Sequence, residues 1–179
     1  MWGNPDSADA PFVIRIHNDP GYIVFPHVHP MDENIVVVQG AWYLGMGERW
    51  EKSRLAPVEL GDFALVPRTM AHFAWSNTET VIQVHGTGPF VTTVVDTMYE
   101  LTDKGVQLKM SLLRPGTPTR SSPPACFALR VEARVRGERG EGTVVGALCS
   151  PANRLTQYWV ERKDGSRFWA VLHDLTSLP

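Results

Sequence analysis

Two histidines and a glutamate interrupt the apolar stretch GYIVFPHVHPMDENIVVVQG, Gly21 to Gly40. His27 and His29 have the same parity, so on a strand both imidazoles leave from one face. On a straight strand Glu33 would lie about 13 Å further along, beyond the reach of one ion. A turn at Pro30-Met31-Asp32 removes that distance, because Glu33 then opens the next antiparallel strand and folds back beside the histidines. Two imidazoles and a carboxylate form half of a first-row metal shell. The plain alternative is the polar edge of a β-hairpin.

A second stretch, GDFALVPRTMAHFAWS, supplies a further donor. A strand ends at Pro67, RTMA turns, and His72 begins the next strand. In a closed barrel His72 can converge on the same interior point, giving three nitrogens and one carboxylate oxygen with one or two open positions. Gln83 and His85 in TVIQVHG share parity. With Glu33 they are the candidate catalytic residues if their face is interior; otherwise they are a hydrogen-bonded pair at the barrel rim. His17, alone on an early strand, is expected to be exposed or structural. Trp42, Tyr43, Phe63, Phe73 and Trp75 are candidates for a pocket wall, for core or for a subunit interface, with Phe63 expected to face inward.

Strands must position these residues. PFVIRIH, GYIVFPHVH, ENIVVVQGAWYLGMG, GDFALVP, AHFAWS, TVIQVHG and FVTTVVDTMYEL are short β-branched bursts broken by Gly, Pro, Asn and Asp. That cadence predicts an all-β sandwich or barrel. RWEKSRLAPVEL allows one helical turn, limited by Pro57. Residues 114–125, RPGTPTRSSPPA, have the composition of a linker or strap. Four alternating segments follow, with the Asp164-Gly165 pair marking a hairpin. The expected organisation is a barrel over residues 1–113, a linker over 114–125, and a small, possibly SH3-like, all-β domain over 126–179. The alternative is that the last strands extend the barrel or pair with another subunit.

Composition narrows the functional class. A net charge of −2 gives no global attraction for nucleic acid, and the arginines of RVEARVRGERG alternate with Val131, Ala133 and Val135 as on one solvated strand face. No apolar run approaches a membrane span, and the first residues lack the pattern of a signal peptide. Cys126 and Cys149 do not make a disulfide framework, so small buried hydrophobes and a reducing cytoplasm are expected.

Gly21-x5-His27-x-His29-x3-Glu33-x6-Gly40 resembles the first motif of the cupin superfamily at every fixed position. The second motif, Gly-x5-Pro-x-Gly-x2-His-x3-Asn, is similar to Gly61, Pro67 and His72, with Thr69 replacing the glycine and Ser76 the asparagine. The missing glycine is expected to alter the turn before His72. The resemblance is narrower to short bacterial single-domain cupins. It implies a double-stranded β-helix (jelly-roll) barrel and one divalent transition metal held by His27, His29, Glu33 and His72. Fe, Mn, Ni, Cu, Co and Zn all suit such a set. It further implies a small-molecule ligand in the barrel and a homodimer, with no nucleic-acid or membrane partner. Two functions follow from it: a metal-dependent enzyme of dioxygenase or isomerase/decarboxylase type, or a non-catalytic metal- or ligand-binding sensor.

Overall fold

The computed structural model describes residues 1–95, 97–110 and 126–179. It divides into two compact units, Met1–Val95 and Asp96–Pro179. In the first unit the strands are β1 (Pro11–Asn18), β2 (Ile23–Val28), β3 (Glu33–Gln39), β4 (Trp42–Met46), β5 (Ala56–Val58), β6 (Phe63–Val66), β7 (His72–Ser76), β8 (Thr80–Thr87) and β9 (Thr93–Val94). The helical turn expected before Pro57 is a 3-10 turn at Lys52–Arg54.

These strands form two antiparallel sheets, ordered β1-β8-β3-β6 and β5-β4-β7-β2-β9. Apart from β4 and β5, consecutive strands therefore lie in different sheets. Each crossing is forced by patterning, since every strand presents one apolar face and the two faces must meet to leave water. Phe12, Ile35, Val37, Trp42, Leu44, Val66, Ala74, Ile82 and Val84 fill the space between the sheets.

The topology corrects the expected hairpin. β2 pairs with β7 and β9, while β3 pairs with β6 and β8. The turn at Pro30-Met31-Asp32 thus carries the chain to the facing sheet and not to the neighbouring strand, and Glu33 reaches the histidines across the barrel. The next turn needs a true glycine. Gly40 has φ +74° between β3 and β4, and a Cβ there would meet the Glu79 carbonyl oxygen at 2.3 Å.

The second unit contains β10 (Met98–Thr102), β11 (Gly105–Met110), β12 (Arg134–Gly137), β13 (Gly140–Ser150), β14 (Leu155–Glu161), β15 (Arg167–Val171) and β16 (Leu175–Ser177). Val135, Val144, Ala147, Tyr158, Val160, Phe168 and Ala170 form its core. The expected hairpin at Asp164-Gly165 joins β14 and β15, with Gly165 at φ +81°. The boundary expected at residue 113 falls instead at Val95, because β10 pairs with both β11 and β13. The expected linker, 114–125, lies outside the described residues.

Cys126 and Cys149 form a disulfide, correcting the expectation of two unpaired thiols. A two-cysteine chain has no spacing pattern to betray its single bridge, and cysteine usage no longer supports a reducing compartment. Among the described residues no helix is long and apolar enough to cross a membrane.

Candidate metal centre

The four motif side chains meet at one end of the first unit. β2 and β7 are neighbours and set His27 directly opposite His72. His29 follows just past the end of β2, and Glu33 begins β3 in the facing sheet. All four residues are buried, at 5%, 3%, 5% and 2% exposure for His27, His29, Glu33 and His72. One ligand atom from each lies within 4.8 Å of the others.

Backbone carbonyls orient the imidazoles. His27 Nδ1–H donates to Phe25 O at 2.8 Å, His29 Nδ1–H to Val91 O at 2.9 Å, and His72 Nδ1–H to Met70 O at 3.0 Å. With each Nδ1 acting as donor, each Nε2 keeps its lone pair. His72 Nε2 stands 3.1 Å and His29 Nε2 3.6 Å from Glu33 Oε2. His29 Nε2 and Glu33 Oε2 are buried without a hydrogen-bond partner. Phe90 stacks on His29 with ring centroids 4.4 Å apart.

Electrostatics favour the ligating form of His27 and His29. Burial, then the neighbouring His72, lowers the His27 pKa to about 3. Burial also lowers that of His29, against the opposing effect of Glu33. Neutral imidazoles at His27 and His29, with buried ligand atoms left without hydrogen-bond partners, fit a borderline first-row ion.

The two motif turns are fastened to each other. Thr69 N–H donates to His29 O at 2.8 Å, and Arg68 N–H donates to Asp32 Oδ1 at 2.8 Å. The turn before His72 keeps the left-handed backbone that glycine would supply: Thr69 itself adopts φ +62°. The expectation of an altered turn is therefore corrected, and the departure is absorbed as backbone strain at a β-branched residue. Ser76, where the motif has asparagine, is buried and donates to Asp19 O and Tyr22 O.

A cavity of about 230 Å³ opens from the cluster into the barrel. Its other walls include Ile16, Asn18, Tyr22, Trp42, Leu44 and Ile82. Gln83 and His85 do not line it. They lie on the outer face of β8, where Gln83 accepts from Arg15 Nε and His85 sits near Phe63. The inward face of β8 carries Ile82 and Val84. Of the two readings left open for Gln83 and His85, the interior one is not the one the strand adopts; the expectation of an inward Phe63 is corrected, since it is 58% exposed. In β6 the inward residue is Val66, which pairs with Glu33. Of the expected wall aromatics, Trp42 lines the cavity, whereas Tyr43 and Trp75 pack on each other. His17 is exposed, as expected.

Sequence reasoning did not single out Asn18, Tyr22 or Phe90. A signal existed for Asn18, which continues the apolar parity of Ile14 and Ile16.

No family model matches the chain, and no curated protein matches it. Among solved structures, a double-stranded β-helix protein from Klebsiella pneumoniae subsp. pneumoniae is 20% identical. That alignment covers 49% of this chain and 71% of the other, with a TM-score of 0.40. A cupin-2 domain protein from Shewanella frigidimarina is 13% identical over 46% of this chain and 74% of its own, with a TM-score of 0.38. An oxalate oxidase in complex with the substrate analogue glycolate is 20% identical over 53% of this chain, with a TM-score of 0.39. The match spans 60% of that enzyme. The strand alternation between facing sheets and the meeting of the four motif side chains make residues 1–95 a double-stranded β-helix barrel, the fold that the motif spacing implies.

Proposed function

We propose that the first unit holds one divalent transition metal on His27, His29, Glu33 and His72, and that this centre transforms a small molecule admitted to the barrel. One observation carries the reading. Three Nδ1–H groups are committed to backbone carbonyls, so three Nε2 atoms and a carboxylate oxygen remain together at the end of a cavity. A redox-active ion bound there supplies dioxygenase chemistry, and a redox-inert one supplies Lewis-acid polarisation for isomerisation or decarboxylation.

The chain's own residues do the rest. The carbonyls of Phe25, Met70 and Val91 hold the imidazoles in one tautomer. Phe90 covers one face of His29, and Ile16, Leu44 and Ile82 keep the cavity wall apolar. Low interior polarity strengthens each electrostatic contact with a bound substrate. Besides the four cluster residues, Tyr22 is the one titratable side chain lining the cavity among the described residues. Burial raises its phenol pKa, so near neutral pH it serves as a hydrogen-bonding group and not as a base. That favours reactions needing no separate acid/base pair.

The same observation favours a second reading, a metal-dependent sensor that binds its ligand without turnover. Elemental analysis of the purified protein, followed by oxygen uptake and a screen of carbonyl, carboxylate and thiol compounds, decides between them. Stoichiometric metal with turnover is the expected result. Stoichiometric metal with ligand binding and no turnover selects the sensor, and the absence of metal refutes both.

A further inference from the structure

The end of the barrel opposite the histidines carries two buried hydrogen-bond donors with nothing to donate to. Asn18 Nδ2 and Trp42 Nε1 lack partners, in residues that are 4% and 3% exposed. Both line the cavity that also contains His27, His29, Glu33 and His72. They lie at one level of the barrel: Asn18 is opposite Thr80, and Thr80 Oγ1 donates to the carbonyl of Ala41, the residue before Trp42.

Strand register gives the separation of the backbone positions that carry the two ends. β4 sets Trp42 against Ser76 at one end and Met46 against His72 at the other. Four residue steps correspond to about 13 Å. Subtracting a hydrogen bond of about 3 Å and a metal–oxygen bond of about 2 Å leaves about 8 Å for a ligand spanning both ends. The intervening wall is apolar, with Val24, Ile35, Leu44 and Ile82. Among the described residues no lysine or arginine lines the cavity, so a second carboxylate at the far end would be buried without a counter-charge. The volume of about 230 Å³ limits the occupant to a small molecule.

We propose that Asn18 and Trp42 form a recognition pair for a neutral oxygen acceptor. The cavity then selects a short bifunctional substrate, with a metal-binding carboxylate or enolate head, an apolar middle, and a ketone or ester carbonyl at the tail. This rests on the metal-centre reading for the head group, while the donor pair alone defines the tail. Buried donors that lose their acceptor are costly, so analogues lacking the carbonyl are discriminated against.

Three ligands of similar size test it: 5-oxohexanoate, its isostere 5-methylhexanoate, and glutarate, whose tail is charged. Calorimetry on Zn²⁺-loaded protein is expected to give 5-oxohexanoate at least about tenfold tighter binding than either competitor. Asn18→Leu and Trp42→Phe should each shrink that preference below about threefold, with zinc content by elemental analysis unchanged. In ¹⁵N-labelled wild-type protein, 5-oxohexanoate should shift the Trp42 indole N–H resonance and 5-methylhexanoate should not. This readout requires no variant to fold. Equal affinities in zinc-loaded protein, or an unmoved indole resonance at saturation, overturn the donor pair. A chain that retains no zinc but still shows the indole shift refutes the metal centre and upholds the pair.

Discussion

The two units solve the same packing problem and, Trp159 Nε1 of the second unit apart, treat their buried polar atoms differently. In the second unit the Tyr158 side chain is fully buried among Val135, Val160 and Phe168, and its hydroxyl accepts from the N–H groups of Ala128 and Leu129 at 2.8 and 3.1 Å. That phenol fastens a backbone segment to the sheet. In the first unit, His29 Nε2, Glu33 Oε2, Asn18 Nδ2 and Trp42 Nε1 are as deeply buried and have no hydrogen-bond partner. A fold does not ordinarily leave several buried groups unsatisfied in one cavity. The contrast separates polar atoms that complete a structure from polar atoms kept for a ligand.

The largest expected effect breaks the contrast from the metal side. Glu33→Ala or His72→Ala removes one donor from the set, and metal affinity should fall by about two orders of magnitude or more. Elemental analysis after dialysis against a weak chelator reads this directly. Both variants should still fold, since the cluster contributes little to the apolar core. Full occupancy in both would mean that the metal sits elsewhere.

Next comes pH. The folded-state pKa of His27 is lowered to about 3 from an ordinary value of 6.5. Between those values the unfolded chain binds the proton and the folded chain does not, so stability rises with pH through that window. Metal-free protein should be fully stabilised by this group above pH 6.5 and lose about 1.4 kcal/mol per pH unit on acidification towards 3. His29, lowered in the same direction, adds to the slope. Urea midpoints measured across that range check the sign, and flat midpoints would argue against neutral buried histidines.

Tyr158→Phe tests the other half of the comparison. Losing the hydroxyl leaves the Ala128 and Leu129 N–H groups without their acceptor, at a cost of about 1–3 kcal/mol. Metal content should be unchanged. A loss of metal in this variant would break the contrast between the two units.

What the sequence disclosed follows from what parity and spacing can encode. His27, His29, Glu33 and His72 were legible because a fixed spacing specifies turns, and turns bring donors together. The partner strand was not legible. Parity tells which face a side chain leaves from but not whether the next strand lies beside it or across the barrel, so the crossing of β2 to β3 read as a hairpin. For Gln83 and His85 the direction was in fact written in the strand. Ile82 and Val84 are the apolar alternates, and a half-buried strand turns those inward. The unit boundary was hidden inside FVTTVVDTMYEL, a continuous β-rich run whose two halves belong to different sheets. No local signal marks that change, because it is decided by which distant strand each half pairs with.

The smallest effect concerns the turn that aims His72. Thr69 holds φ +62°, a region where a β-branched side chain crowds the backbone at a cost of about 1–2 kcal/mol. Its N–H to His29 O survives any substitution except proline, while its hydroxyl donates to the Arg68 carbonyl at 2.6 Å on an exposed turn. Thr69→Gly relieves the strain but also loosens the unfolded chain, which offsets about 0.4–1 kcal/mol of the gain. A net stabilisation of up to about 1 kcal/mol is therefore expected, with metal content unchanged. Thr69→Ala, which keeps a Cβ in the left-handed region, should recover less of it. If glycine instead destabilises the chain and lowers metal occupancy, the threonine side chain, and not the backbone conformation, is what fixes His72 in the site.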